Sequence, residues 1–203
     1  LTIRQNGKPR QVVAQATKQG FLYVFDRRTG QPIWPIEERP VPQSDVPGEW
    51  SSPTQPFPTR PAPFAKQSFT EKDINPYLPK EAQEEVRARL RSYRNEGLFT
   101  PPSFEGSVSM PGHNGGANFG TSAVDPDRGE FYVVHKSLPT VLRITLPAPP
   151  RGGGPGGGGR GGGNAIVTPE EKAGLMAKAR ELVDAAKGGQ VQFQSPVSFM
   201  QIN

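Results

Sequence analysis

The sequence predicts a mainly β chain assembled from β-meander units, the kind that build propeller blades. Three observations predict it. Two short apolar runs, 12–16 and 21–25, flank Lys18-Gln19-Gly20, which reads as a hairpin turn with Gly20 at positive φ. Asp26-Arg27-Arg28-Thr29-Gly30 then turns the chain again, the aspartate accepting local N–H bonds and the glycine closing the turn, so 31–34 should begin a third strand ending in a packed Trp34. Finally, Asp125-Pro126-Asp127-Arg128-Gly129 repeats the Asp-to-Gly spacing of 26–30 between two further strand-like runs, 121–124 and 130–135, a weak internal repeat.

Taken in order, 1–3 and 11–16 pair across Asn6-Gly7, the strongest short hairpin signal. After the meander, 35–69 is proline-rich and almost free of periodicity. That composition forbids a central strand or helix and favours extended, polyproline-type backbone. A loop of this length in a compact protein is functional or disordered. Trp50, Phe57, Phe64 and Phe69 argue against disorder, because such rings can pin the loop onto a larger surface.

Residues 79–95 read as a helix. Ala82, Val86, Leu90 and Tyr93 recur at helical spacing, with Pro79 suited to the first turn and Gly97 to the stop. Glu81, Glu84, Glu85, Arg87, Arg89 and Arg91 form its solvated face. Residues 97–107 return to loop. In 111–135, Gly112, Gly115, Gly116 and Gly120 allow the backbone to approach a ligand or another strand, the second hairpin follows, and 141–146 reads as the third strand of that unit. Residues 151–163 are almost pure glycine and read as a flexible linker. An RGG-like nucleic-acid segment would repeat arginine and interleave aromatics, so no nucleic-acid partner is expected. A second helix spans 168–187: Thr168 and Glu171 form a capping box, Pro169 sits at N1 and Gly188-Gly189 ends it. Its stripe of Leu175, Met176, Ala179, Leu182, Val183 and Ala186 suits packing. The expected organisation is partial propeller blades over 1–150, a linker-plus-helix insertion over 151–190, and the start of the next propeller strand over 191–203.

Composition bounds the chemistry. The chain is 33% hydrophobic and carries 24 Gly and 24 Pro, more than a fifth of its 203 residues, so much irregular structure is expected. The net charge of +5 is scattered and reads as solvated surface. With no cysteine, disulfides, thiolate zinc sites and attached c-type haem are excluded for this stretch. The two histidines, His113 and His135, lack an obvious third ligand, which disfavours a protein-only zinc site, and no metal ligand is assigned. There is no P-loop, nucleophile elbow, HExxH or EF-hand loop. No apolar run is long enough to cross a bilayer. Leu1-Thr2-Ile3-Arg4 does not read as a signal peptide and Gln201-Ile202-Asn203 carries no cap, so a segment of a longer polypeptide is expected.

The residues themselves raise a family. Strand, Lys18-x-Gly20, strand, then Asp26-x-x-Thr29-Gly30-x-x-x-Trp34 resembles a blade of the pyrroloquinoline quinone (PQQ) dehydrogenases, the last part being similar to their tryptophan docking motif. Glu38-Arg39-Pro40-Val41-Pro42-Gln43, Ser52-Pro53-Thr54-Gln55-Pro56, Gly97-Leu98-Phe99-Thr100-Pro101-Pro102-Ser103 and Pro111-Gly112, in that order, resemble the membrane-bound quinoprotein glucose dehydrogenase group. The resemblance runs from about 11 to about 146 and thinly again over 193–203. It implies part of an eight-bladed β-propeller with long Pro/Gly-rich loops and two short inserted helices, completed by the rest of the same propeller.

The resemblance also implies a chemistry: oxidation of an aldose or alcohol by hydride transfer to PQQ, with electrons passed to a membrane quinone or a cytochrome, in a periplasmic, membrane-associated parent. Lys18 lies where the family's cofactor-contacting lysine is found, and its ammonium would stabilise charge on the quinone oxygen. The residues alone leave Lys18 open as an exposed hairpin lysine. Gly115-Gly116-Ala117-Asn118-Phe119-Gly120 resembles the family's Gly-Gly-x-Asn-Trp-Gly, which makes Asn118 a candidate PQQ contact. Phe119, a further candidate cofactor contact, replaces the usual Trp and loses its indole N–H. His113, after Pro-Gly, is placed toward the cofactor and substrate pocket, or is a hydrogen-bonded structural histidine. The family's divalent cation, commonly calcium, takes oxygen ligands that would lie mostly on other blades. Its general-base aspartate lies upstream of position 1, and none of Asp26, Asp45 or Asp73 matches its motif, so the segment alone is expected to be inactive. A competing reading is a non-catalytic propeller or scaffold segment that binds another protein through the Pro-rich loop and the Gly-rich insertion.

Overall fold

The structure is a computed structural model and describes residues 1–118, 120–146, 165–188, 191, 193 and 197–199. In chain order the strands and helices are β1 (Thr2–Gln5), β2 (Lys8–Ala16), β3 (Leu22–Asp26), β4 (Ile36–Pro40), β5 (Thr54–Pro58), α1 (Lys80–Ser92), β6 (Ser107–Ser109), β7 (Ser122–Asp125), β8 (Glu130–Val133), β9 (Thr140–Leu142), α2 (Pro169–Ala185) and β10 (Val197–Phe199). They fall into two compact units. One comprises Leu1–Val41, Pro53–Ser68 and Met110–Leu138; the other comprises Pro42–Ser52, Phe69–Ser109 and Pro139–Asn203.

The first unit is built on the antiparallel sheet β1-β2-β3. Asn6 and Gly7 both take positive φ, 51° and 76°, as a two-residue primed turn requires, and they set the Gln5↔Lys8 register. Val12, Phe21 and Val24 are buried beneath the sheet. Gly20 takes φ 84°, as expected. The two aspartate turns match atom for atom. Asp26 Oδ1 accepts from the Arg28 and Thr29 N–H groups at 2.9 and 3.1 Å, and Asp125 Oδ1 accepts from those of Asp127 and Arg128 at 3.0 and 3.1 Å. Gly30 and Gly129 close them at φ 72° and 68°.

The third strand expected over 31–34 does not form. The chain runs back along β3 only through Asp26 N to Gln31 O (2.7 Å), Ile33 N to Val24 O (2.9 Å) and a single bridge between Phe25 and Pro32. Pro32 and Pro35 remove the donors that a longer ladder needs, and β1 takes the third place in the sheet instead. Trp34 is half-buried.

The backbone N–H groups of Arg28 and Thr29 hold the Asp26 carboxyl below its ordinary value. A carboxylate whose folded pKa is lowered stabilises the fold above its unfolded pKa, and that contribution is lost as pH falls through the folded value. Asp26→Asn keeps an accepting oxygen but not the charge. The variant should melt below the wild-type parent protein at neutral pH, and the gap should close as pH drops below about 4. Thermal melts across that range check it, and a gap independent of pH would contradict it.

The proline-rich stretch holds a strand pair that periodicity does not reveal. β4 and β5 form a two-stranded antiparallel ribbon with Glu37↔Phe57 and Arg39↔Gln55 in register. The ladder continues at either end through Thr59 N to Pro35 O (3.0 Å) and Val41 N to Pro53 O (3.1 Å). The hydrogen-bonded pairs are therefore 35/59, 37/57, 39/55 and 41/53. Pro40, Pro56 and Pro58 all fall at the alternate positions, where the ladder needs no N–H. The ribbon is pinned by Phe57, edge-on to Phe21 at 5.4 Å, and by the Tyr23 hydroxyl, which donates to Pro56 O at 2.7 Å. Phe64 stands 6.1 Å from the His135 ring. Trp50, expected to pin the loop as well, is instead 84% exposed.

β7 and β8 pair as expected across the Asp125 turn, with Ala123 opposite Tyr132. Residues 141–146 do not add a third strand to them. β9 pairs with β6 and β10 in the second unit, because Val141 is buried there among Leu90, Tyr93 and Val108. Gly106 makes that packing possible, since a Cβ there would come within 2.8 Å of Val141 Cγ1. Phe69 lies against the same cluster.

In the second unit α1 buries Val86 and Leu90 and pairs Arg87 with Glu84 and Arg89 with Glu85 on its outer face. It ends at Tyr93, ahead of the expected glycine stop. α2 carries the expected reciprocal cap: Glu171 N donates to Thr168 Oγ1 at 3.2 Å, and Thr168 N donates to the Glu171 carboxylate at 2.8 Å. Its stripe packs through fully buried Ala179 against Val46, Phe104 and Ile144, with Leu175 and Met176 alongside. Lys172 ties the helix down by reaching Asp45 at 2.7 Å and Glu105 at 2.6 Å. The glycine-rich stretch 151–163 and most of 191–203 lie outside the described residues. Among the described residues no helix is long and apolar enough to cross a membrane.

Candidate functional site

Within the first unit the Lys18 turn and the start of β7 border a half-open cavity of ≈ 520 Å³ whose lining includes Gln15, Thr17, Lys18, Asn118, Gly120 and Ser122. The turn is self-bracing. Thr17 N donates to Phe21 O at 2.9 Å, the Thr17 hydroxyl donates to the same carbonyl at 3.1 Å, and Gly20 N donates to Thr17 O at 3.1 Å. A second loop closes onto it. Gly115 N donates to Gly112 O (2.8 Å), Gly116 N donates to Lys18 O (2.7 Å), and Lys136 N donates to Gly116 O (2.7 Å).

That approach is possible only because side chains are missing. Gly115 sits at φ +81°, and a Cβ there would lie 2.5 Å from Lys18 Cβ and 2.7 Å from its Cα. A Cβ on Gly116 would meet the Ala65 methyl at 2.8 Å. The glycines thus press the loop onto the backbone of the lysine. Asn118 is fixed by Thr121, whose hydroxyl donates to Asn118 O at 2.8 Å while Asn118 N donates back to it at 3.3 Å.

Lys18 is exposed to the cavity and, among the described residues, its ammonium makes no ion pair or hydrogen bond. An uncompensated cation, a side-chain amide and hydroxyl groups around a cavity of small-molecule size suit an anionic, oxygen-rich ligand. Of the four residues expected at the site, Lys18 and Asn118 share the cavity. His113 stands in the turn between Gly112 and Gly115 and is not among its lining residues. Phe119 lies outside the described residues. Gln15, Thr17 and Ser122 were not foreseen; the only sequence signal for the first two is their place on the strand and turn that carry Lys18. Among the described residues no three Asp, Glu or His side chains converge to hold a metal ion.

Residues 1–185 match the family model described as PQQ: glucose/ethanol/alcohol dehydrogenase, beta-propeller domain. The chain belongs to this PQQ dehydrogenase family. It is 39% identical over 127 residues to the glycerol dehydrogenase large subunit of Gluconobacter oxydans, covering 62% of this chain and 17% of that protein. It is 36% identical over 129 residues to the quinate/shikimate dehydrogenase (quinone) of Acinetobacter baylyi, covering 64% and 16%. With the quinoprotein glucose dehydrogenase of Escherichia coli the identity is 34% over 157 residues, covering 75% and 18%. The chain therefore spans about a sixth of the length of these curated relatives. No solved structure matches it. The strands described above are part of a PQQ-type β-propeller domain. The residues around the cavity suit the family's cofactor, a tricarboxylate ortho-quinone: Lys18 would face it with a cation, Asn118 would stand on the same cavity, and the Cβ-less Gly115-Gly116 keep the neighbouring loop close to the lysine.

Proposed function

We propose that this chain is the segment of a PQQ-dependent dehydrogenase that presents an electrophilic lysine to the cofactor during oxidation of an aldose or alcohol. The observation that carries the reading is the pairing of a free Lys18 ammonium with Asn118 on one cavity, with the lysine backbone clamped by Gly116. When bound, PQQ supplies the ortho-quinone that accepts the substrate's two electrons. Lys18 would stand at the wall as the cation that stabilises negative charge on a quinone oxygen, without reorganising because its backbone is already fixed. Asn118 would help to hold the ring from the same cavity. Thr17 keeps the turn closed.

The general base and most ligands of a divalent cation such as calcium belong to other parts of the propeller in this reading. Electrons leave to a membrane quinone or a cytochrome from a periplasmic, membrane-associated parent. The relatives' names, quinoprotein glucose dehydrogenase and quinate/shikimate dehydrogenase (quinone), support a polyhydroxylated substrate and a quinone acceptor. The test is PQQ titration of the full-length apoprotein with calcium or magnesium supplied, followed by dye-linked oxidation of aldoses and polyols. Saturable binding and PQQ-dependent turnover are expected. A parent that binds no PQQ under these conditions overturns the proposal.

A further inference from the structure

Every carbonyl of the Lys18 turn accepts a hydrogen bond. Thr17 O takes Gly20 N at 3.1 Å, Lys18 O takes Gly116 N at 2.7 Å, and Gly20 O takes Phe64 N at 2.8 Å. Gln19 O takes the side-chain amide of Gln67, Nε2, at 2.8 Å. Three of these donors are backbone groups that almost any residue would supply. The fourth is a side chain, and it alone depends on residue identity.

Residues 64–67, which follow the β4–β5 ribbon, run against the Lys18 turn and the glycine loop that closes onto it. Phe64 and Gln67 hold the turn. Between them, buried Ala65 stands with its methyl 2.8 Å from where a Cβ on Gly20 would be and 2.8 Å from where one on Gly116 would be. Lys66 N donates to Ser137 Oγ at 3.3 Å, beyond β8. A segment that reads as an interaction loop by composition is thus folded against the Lys18 turn.

We propose that Gln67 is a positioning residue for Lys18: its amide fixes the Gln19 carbonyl, and with it the Gln19–Gly20 peptide that follows the Lys18–Gln19 peptide held by Gly116 N, so that the turn keeps its shape and the ammonium stays aimed into the cavity. This inference rests on the proposed role of Lys18. Gln67 is not among the residues that line the cavity. It acts through the turn.

The test compares the full-length parent with its Gln67→Ala, Gln67→Glu and Lys18→Ala variants, reading PQQ affinity of the apoprotein, kcat and KM at matched pH, and near-ultraviolet circular dichroism as a check on folding. Misaiming the lysine should weaken PQQ binding about tenfold and lower kcat by about ten- to a hundredfold in Gln67→Ala, with KM for the sugar little changed. Gln67→Glu supplies the readout that a purely structural role would not move. Its carboxylate cannot donate to Gln19 O and repels it, whereas the protonated acid can donate. Its PQQ affinity and kcat, each relative to wild type at the same pH, should therefore recover as pH falls below about 5. Folded Gln67→Ala protein with wild-type affinity and kcat, or a Gln67→Glu profile parallel to that of Gln67→Ala at every pH, overturns the inference. If those results accompany a Lys18→Ala variant that has lost turnover, only the role of Gln67 falls. If Lys18→Ala itself retains turnover, the reading of the site falls and this inference with it.

Discussion

Lys18→Ala in the full-length, PQQ-loaded parent should lower kcat by about a thousandfold, with little loss of thermal stability. Both halves of that expectation follow from the same facts. The Lys18 side chain is exposed and, among the described residues, its ammonium bonds to no protein group, so removing it breaks no ion pair or hydrogen bond. Its carbonyl, which does hold the fold together, survives the substitution and still accepts from Gly116 N. What disappears is a fixed positive charge on the wall of the cavity. Lys18→Arg restores a cation with a different donor geometry and should recover part of the rate. Steady-state kinetics beside a melting curve decide the matter. A Lys18→Ala enzyme within a few-fold of wild type would make the residue an ordinary hairpin lysine.

Gly115→Ala has the second large effect, and it acts without removing any functional group. The added methyl would stand 2.5 Å from Lys18 Cβ and 2.6 Å from Cγ, at a backbone φ of +81°. The strain costs about 1–2 kcal/mol, and the clash must be relieved by moving either the glycine loop or the lysine. Turnover should fall by about a hundredfold, because a displacement near an ångström at the lysine proposed to act on the cofactor is enough. Gly30→Ala is the control: φ is +72° but nothing lies within 4 Å of the new methyl, and the turn is away from the cavity. It should lose a comparable amount of stability from strain and keep its kcat. Equal kinetic losses in the two variants would mean that strain alone, rather than pressure on Lys18, accounts for the Gly115 result.

The turns were legible in the sequence because their cause is local. Asn6-Gly7, Gly20 and the two Asp-to-Gly turns each need a residue that tolerates positive φ, or a carboxylate two or three residues from the N–H groups it accepts, and those requirements are written in adjacent letters. The N-terminal cap of α2 is legible for the same reason, whereas the helix ends at Ala185 with Ala186 as its C-cap, ahead of the expected glycines. Lys18 and Asn118 could be singled out as a pair only through the family resemblance, since nothing local links residues so far apart. The misses were tertiary. Residues 141–146 had the apolar content of a strand, but its partner was chosen by where Val141 could be buried, and that depends on α1. The ribbon at 36–58 was hidden because proline is read as a breaker, whereas its effect depends on which side of a ladder each proline falls. Gln67 carried no signal at all. A glutamine in a proline-rich stretch looks like solvent-facing filler until the carbonyl it meets is known.

The placement of prolines along β5 has a consequence for solubility. At the alternate positions, 54, 56 and 58, the backbone groups point away from β4, where an incoming strand from another molecule would have to bind. Two of those three residues are proline and offer no N–H, and the carbonyl of Pro56 is already taken by the Tyr23 hydroxyl. This edge is a poor template for another strand, so the ribbon resists growth into intermolecular sheet on that side. The missing N–H groups are built into the hairpin and act as soon as it closes, and the Tyr23 hydroxyl adds to them once the ribbon meets β3.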